Sequence, residues 1–314
     1  MIAGDVLLIA DLMPAAIADL RTRTSMLDGR LAASRAALIA EHRDRIRAIA
    51  THAHTPCPRA LIEALPRLEI IACFSAGVDD IDVAAAAEHG VVVTSTSEAL
   101  ADDVADVAMA KCLLLLRRFL QADRFVRDGS WARGPFPLAR SLKGQRLGLL
   151  GMGMIGGAIA RRAEASGMSI AYTTRTPRPD LPYRHVPRVA DLAGGSDILV
   201  VCCPATAATR HLVDAAVLRA LGPQGYLVNV ARGSIVDEAA LVEALREGAI
   251  AGAGLDVFAD EPHPHAELLL LDNVSLSPHI GSGTEAARAA MGRSMVESIL
   301  RQLGGSSGRH RPPP

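Results

Sequence analysis

Short aliphatic runs alternate along most of this chain with alanine-rich stretches of helical period. Residues 6–10 read as a strand, 15–20 as a helix opened by Pro14, 61–65 as a short helix closed by Pro66, and 68–74 as a buried strand. A turn through Ser75, Ala76, Gly77, Val78 and Asp79 leads to a helix over 83–89 and a strand over 91–95, while 43–50 fits a helix end or a strand equally well. This alternation predicts a parallel sheet, and about 95 residues suffice for a small α/β domain. Residues 99–120 read as one long helix, with Asp102, Asp103 and Asp106 in its first turns, where the helix dipole favours acids. Residues 124–142 hold the one tryptophan, Trp131, with Gly and Pro and little period, and fit either a surface loop over its own core or a subunit arm. Strands follow at 198–202, 226–230, 253–257 and 274–276, with helices at 215–221, 238–247 and 286–303. The tail GGSSGRHRPPP is low in complexity and is expected to be disordered.

The middle of the chain gives this pattern a purpose. An apolar run over 147–150 enters Gly151-Met152-Gly153-Met154-Ile155-Gly156, a helical pattern continues to residue 165, and a second apolar run over 168–172 ends in Thr173, Thr174 and Arg175. Strand, glycine turn, helix, strand is the order a dinucleotide site requires. Gly151 permits the tight turn, Gly153 lets the backbone approach a pyrophosphate, and Gly156 lets helix pack on strand, while the helix start attracts the anion.

Composition removes several alternatives. The chain has 314 residues, half of them hydrophobic, and a formal net charge of −1, which fits two domains and neither a disordered segment nor an electrostatic nucleic-acid binder. Aromatics make up 3%, too few for a base-stacking platform. The two lysines, Lys111 among leucines and Lys143 in a Gly-flanked loop, make Schiff-base chemistry improbable. Five cysteines without a CxxC pair fit a reducing compartment and argue against a disulfide scaffold or zinc site. The vicinal pair Cys202 and Cys203 follows an apolar run over 197–201, where it is expected to pack. No basic residue precedes Arg21, and no apolar run approaches the roughly 18 residues of a membrane span. The expectation is a cytoplasmic protein with neither nucleic-acid nor membrane partners.

Ligands of open α/β sheets gather beyond the carboxyl ends of strands. There the chain places Arg232 after 228–230, Asp256 in 254–258 ahead of Glu261, and His279 after 274–276. A histidine can hold a proton near neutral pH, a carboxylate beside it favours its charged form, and an arginine offers a fork for a carboxylate. Singly, such an arginine is more often a surface cap; three such groups on successive strand ends reverse that preference. His263, His265, Glu261 and Glu267 also resemble a metal cluster, but Pro262 and Pro264 interrupt them, and no metal is expected. His52 and His54 are ordinary surface histidines or face a substrate.

At these segments the sequence resembles the D-2-hydroxyacid dehydrogenases. The matching stretches are FSAGVDDID, ADDVADVAMA, DGSW, LKGQRLGLLGMGMIG, CCPATAAT, NVARGSIVDEAALVEAL, AGAGLDVFADEP and SPHIGSGT. Within the family, GSGT and ADDVAD look most similar to NADPH-dependent hydroxyphenylpyruvate and glyoxylate/hydroxypyruvate reductases. The resemblance implies an α/β fold of two doubly wound parallel-sheet domains. A Rossmann nucleotide domain, 99–283, would be inserted into a discontinuous flavodoxin-like substrate domain, 1–98 plus 284–314. It implies a homodimer with an embracing arm at 121–145 and Trp131 near the partner's site. It makes His279 the acid/base, Glu261 its orienting partner, and Arg232 the ligand of the substrate carboxylate and keto oxygen, with Ser75, Ala76 and Gly77 holding the other carboxylate oxygen. The cofactor would touch Gly151, Gly153, Met154, Ile155 and Gly156, then Cys203, Pro204, Thr209, Val230, Ala231, Asp256 and Gly281, with Asp256 and Ala231 fixing the carboxamide.

Two departures sharpen the reading. The ribose-binding acid, expected about 20 residues past the glycines, falls near Thr174, with Arg175 next and Arg178 close by. A neutral side chain beside a guanidinium suits a 2′-phosphate and favours NADP(H) over NAD(H). Before residue 61 no strong family match exists, so the substrate's side chain stays open. The resulting expectation is NADPH-dependent reduction of a small 2-ketoacid (glyoxylate, hydroxypyruvate or hydroxyphenylpyruvate). The alternatives are a nucleotide-sensing binding protein such as a corepressor, or an NAD-dependent formate or phosphite dehydrogenase.

Overall fold

The computed structural model describes residues 5–304, so the low-complexity tail from residue 305 lies outside the described residues. In chain order the elements are β1 (Asp5–Leu8), α1 (Pro14–Arg23), β2 (Ser25–Asp28), α2 (Ala32–His42), β3 (Ile46–Thr51), α3 (Arg59–Glu63), β4 (Ile70–Cys73), α4 (Val83–Glu88), β5 (Val92–Thr94) and α5 (Ser97–Leu116). Then come α6 (Phe119–Arg127), β6 (Arg146–Leu150), α7 (Met154–Ala165), β7 (Ser169–Thr173), β8 (Arg184–His185), α8 (Val189–Gly194), β9 (Ile198–Val201), α9 (Ala215–Leu221), β10 (Tyr226–Asn229), α10 (Glu238–Arg246), β11 (Gly252–Leu255), β12 (Val274–Leu276) and α11 (Glu285–Gly304). The chain forms two compact units: residues up to Leu100 with those from Thr284, and Ala101–Gly283.

In the first unit, five parallel strands take the order β2-β1-β3-β4-β5, which is the flavodoxin-like winding. Leu7, Ile49 and Ile71 on the central strands are fully buried, as expected when helices cover both sheet faces. Asp82 caps α4 by accepting the Ala85 N–H at 2.8 Å, and Pro14 opens α1, where its missing N–H costs nothing.

The second unit holds seven parallel strands in the order β12-β11-β10-β9-β6-β7-β8. Counted from β6 within the unit, that is the dinucleotide-binding winding 3-2-1-4-5-6 with one more strand at the edge. The chain reverses direction across the sheet between β6 and β9, and the glycine turn leaves β6 at that switch point. Strands such as ILVV of β9 are buried at every position. No helix among the described residues is long and apolar enough to cross a membrane.

Several elements differ from the sequence reading. The single helix expected over 99–120 is two, because Arg118 adopts a left-handed backbone (φ 53°) between α5 and α6. That conformation breaks the hydrogen-bond ladder, and its guanidinium lies over the Phe136 ring. The stretch 124–142 contains the end of α6, a 3-10 turn at Ser130–Arg133, and chain without regular secondary structure. The ambiguous 43–50 resolves as a turn followed by β3. Strands β2 and β8 and helices α2 and α8 were not foreseen; β2 is only half-buried and β8 has two residues, too little for a periodic signal.

At the amino ends of β6 and β9 the Asp197 carboxylate accepts from the Arg146 backbone N–H (2.8 Å), its Nε (3.1 Å) and its terminal nitrogen (2.8 Å). These bonds to Arg146 hold the Asp197 carboxyl below the ordinary carboxylate range. A carboxyl lowered in this way stabilises the fold above its unfolded-state value and loses that contribution as pH falls through its folded one. Asp197→Asn should therefore cost about 1–2 kcal/mol at neutral pH. In urea titrations the gap to wild type should shrink below about pH 4; a gap independent of pH would contradict this role.

Candidate active site

The glycine turn has the shape that the spacing implies. Gly151 has φ 110°, a conformation side chains resist, and a Cβ there would lie 2.7 Å from the Cys203 nitrogen. A Cβ on Gly156 would overlap the Gly151 carbonyl, whereas Gly153 faces open space. Helix α7 starts at Met154 with no side-chain cap on Gly153, so its first N–H groups have no partner inside the helix. An uncapped helix start beside a bare backbone fits the pyrophosphate of a dinucleotide. The Cys202 thiol donates to the Gly151 carbonyl at 3.2 Å. Burial pushes the Cys203 thiol up to about 11 and the Cys202 thiol higher, so both are packing groups, not nucleophiles.

Thr174 and Arg175 leave the end of β7 as expected. Thr174 is half-buried, its hydroxyl donating to the Thr176 carbonyl at 2.7 Å, and Arg175 is exposed. Arg178 is differently placed: its guanidinium makes a fork to Asp180, at 3.0 and 2.7 Å. The buried Tyr172 hydroxyl pins this turn, accepting the Arg178 N–H at 2.8 Å and donating to its carbonyl at 3.1 Å. After β9, the Thr209 hydroxyl donates to the Pro204 carbonyl at 2.9 Å and closes that loop.

The acid–base groups lie at the carboxyl ends of β10, β11 and β12. His279 Nδ1 is 2.8 Å from Glu261 Oε2, and Glu261 Oε1 accepts the Phe258 N–H at 3.1 Å. Arg232 follows β10 and donates to the Ala231 carbonyl at 2.7 Å. Its loop is shaped by Asn229, buried at the end of β10, which accepts the Ala231 N–H at 3.0 Å and donates to the Arg232 carbonyl at 2.9 Å. A Cβ on Gly233 would overlap the Phe258 backbone, so only glycine lets the Arg232 loop close on the segment carrying Glu261. Val230 is buried and Ala231 half-buried.

Asp256 ties the segment that carries His279. It is 1% exposed, and its carboxylate accepts from the Ser277 hydroxyl (2.5 Å), the Ile280 N–H (3.0 Å) and the Gly281 N–H (2.8 Å). Its carbonyl accepts the His279 N–H at 2.8 Å. His279 is held by these bonds at φ 53°, which for a residue with a Cβ costs on the order of 1–2 kcal/mol. Asn229, Ser277 and this tying role of Asp256 escaped the sequence reading; the available signal was a polar residue ending a buried aliphatic strand. In the first unit, the N–H groups of Ser75, Ala76 and Gly77 donate to nothing among the described residues, while the Ala76 carbonyl accepts the Ser97 hydroxyl at 2.9 Å.

The chain is similar over most of its length to known proteins. The family profile described as D-isomer specific 2-hydroxyacid dehydrogenase, NAD binding domain, matches residues 109–281. A glyoxylate/hydroxypyruvate reductase A of Arabidopsis thaliana is 45% identical over 289 residues, 92% of either chain. A hydroxyphenylpyruvate reductase of Plectranthus scutellarioides is 44% identical over 262 residues, 83% of this chain and 84% of that one. Among solved structures, an NADPH-dependent glyoxylate/hydroxypyruvate reductase of Sinorhizobium meliloti in complex with NADP and malonate is 43% identical with a TM-score of 0.83, covering 95% of this chain and 93% of that one.

Asp256→Asn would turn an amide NH2 toward donors that the carboxylate now accepts. It should lower the unfolding free energy by about 1–3 kcal/mol, measured by denaturant titration. Wild-type stability in that variant would contradict the tying role.

Proposed function

The chain belongs to the D-isomer specific 2-hydroxyacid dehydrogenase family and is an NAD(P)-dependent oxidoreductase, and on that premise we propose that it reduces a small 2-ketoacid to the D-2-hydroxyacid with hydride from NADPH. The substrates that fit are glyoxylate, hydroxypyruvate and hydroxyphenylpyruvate, the classes named for the relatives. The observation that carries the reading is the 2.8 Å contact of His279 Nδ1 with Glu261, one strand end from Arg232.

With Nδ1–H donating to Glu261, Nε2 is the nitrogen left to act on the keto oxygen. When bound, the nicotinamide supplies a hydride to the keto carbon. His279 Nε2 gives its proton to the oxygen as negative charge develops there, and Glu261 keeps the ring oriented. Arg232 pairs with the substrate carboxylate through its fork and polarises the keto group. We assign the N–H groups at Ser75, Ala76 and Gly77, in the first unit, to a carboxylate oxygen. Val230, Ala231, Cys203, Pro204, Thr209 and Gly281 line the cofactor path, with Met154 and Ile155 at the start of α7.

The preference for NADP(H) follows from the end of β7. Thr174 brings no charge to repel a 2′-phosphate, and Arg175 is an exposed guanidinium. Arg178, paired with Asp180 and reaching the Met152 carbonyl of the glycine turn at 3.4 Å, stands beside it, so Arg175 and Arg178 together carry the preference. The large apolar side chains exposed on α6 and beyond it, Phe119, Val126, Trp131 and Leu138, support the reading of 121–145 as the arm of a homodimer.

Oxidation of NADPH should be observed with at least one of glyoxylate, hydroxypyruvate and hydroxyphenylpyruvate. NADH should be markedly poorer, and Thr174→Asp with Arg175→Ala should abolish the preference; no turnover across that panel would return the chain to a non-catalytic binding role. His279→Gln should lower kcat by about 100-fold or more with NADPH affinity little changed. Equal loss of both would remove His279 from acid–base chemistry.

A further inference from the structure

A buried ammonium on α5 packs against β11 and β12, and the mechanism above does not use it. Lys111 is 3% exposed, and burying an ammonium is costly unless it does something for the fold or the site. Its Nζ donates to the Ser275 carbonyl of β12 at 3.2 Å. Its stem lies against β11, where a Cβ on Gly254 would come within 2.9 Å of the Lys111 Cβ and 3.0 Å of its Cδ. The glycine in the middle of this strand thus makes room for the lysine stem.

Strand alternation places the Asp256 side chain on the face where a Gly254 side chain would be, the face that Lys111 covers. Helix α5 confirms the register independently. Val104, two turns before Lys111, touches the place where a Gly281 Cβ would be, at 3.3 Å, and Leu115, one turn after it, touches that of Gly254 at 3.4 Å. One stripe of α5 therefore runs beneath β11, β12 and the loop that Asp256 ties. The Lys111 ammonium bonds to the Ser275 carbonyl of β12, the charge acting on it is that of Asp256 beyond β11, and the stripe residues Val104 and Leu115 of α5 are apolar.

We propose that Lys111 is a positioning residue for the acid–base loop: its buried ammonium, bonded to the Ser275 carbonyl beside Gly254, holds β12 in place against β11, so that the bonds of Asp256 to Ser277, Ile280 and Gly281 present His279. This rests on the reading of His279 as the proton donor. Lys111 never touches substrate or cofactor. Burial lowers its pKa to about 8, with Asp256 opposing the shift, so the charge is present at neutral pH and disappears as pH rises through that value.

The test is Lys111→Met, which preserves length and burial and removes charge and donor. Turnover of hydroxypyruvate with NADPH, per folded protein, should fall about tenfold near neutral pH, with KM for NADPH unchanged. The melting temperature should fall, because the Ser275 carbonyl loses its donor and Asp256 its nearby positive charge, so turnover is compared per folded protein. From about pH 6.5 to about pH 9.5 the ratio of wild-type to variant kcat should drop toward one as the wild-type ammonium is lost. Gly254→Ala, which displaces the stem and leaves the charge, should lower kcat in the same direction. An unchanged kcat in Lys111→Met, or a ratio constant with pH, overturns the proposal and leaves the reductase reading intact. A wild-type protein inactive on all the 2-ketoacids overturns both.

Discussion

The Asp256 carboxylate, out of solvent at the end of β11, accepts one hydroxyl and two amide protons from the segment that follows β12. The placement of His279 follows from those three bonds and from the Asp256 carbonyl, which takes the His279 N–H. A left-handed histidine is locally unfavourable by on the order of 1–2 kcal/mol. Bonds from N–H and O–H donors to an ionised acceptor are strong enough to offset that cost. The imidazole is therefore aimed before any ligand arrives, and Glu261 fixes which nitrogen is left to act. A side chain held in one orientation before a ligand binds is what electrostatic preorganisation requires.

The two ends of the larger sheet are built for different purposes. At the amino ends of β6 and β9, Asp197 and Arg146 neutralise one another and close off the strand starts. At the carboxyl ends the polar groups gather on successive strands: Arg175 is exposed beyond β7, Arg232 follows β10, and His279, paired with Glu261, follows β12. Glycines set how closely these segments approach. Gly156 brings α7 onto the turn of Gly151, and Gly233 brings the Arg232 loop onto the backbone at Phe258. Each of these contacts excludes a single methyl group, which makes the loops on either side of the chemistry interdependent.

Much of this was legible in the residue order. The aliphatic runs located the central strands to within two or three residues, because buried parallel strands must be apolar on both faces. The glycine spacing located the turn at Gly151, and the residue order placed Arg232, Glu261 and His279 at the successive strand ends where they are found. What the order hid depended on contacts between distant residues. Nothing in LLLLRRFLQ marks a helix break at Arg118, since neither Gly nor Pro is present. The pairing of Arg178 with Asp180 is invisible until the turn is folded, and so is the tie from Asp256 to the His279 loop. Lys111 looked like an intrusion in a leucine-rich helix; only the packing against Gly254 and Ser275 shows where its charge goes.

The central claim is that hydride reaches the keto carbon of a 2-ketoacid on one defined face while a proton reaches its oxygen. Reduction of hydroxypyruvate with NADPH carrying deuterium at nicotinamide C4, followed by chiral analysis and mass measurement of the product, tests it most directly. The account predicts D-glycerate with the deuterium on C2. A product without deuterium, or an L or racemic product, would contradict it.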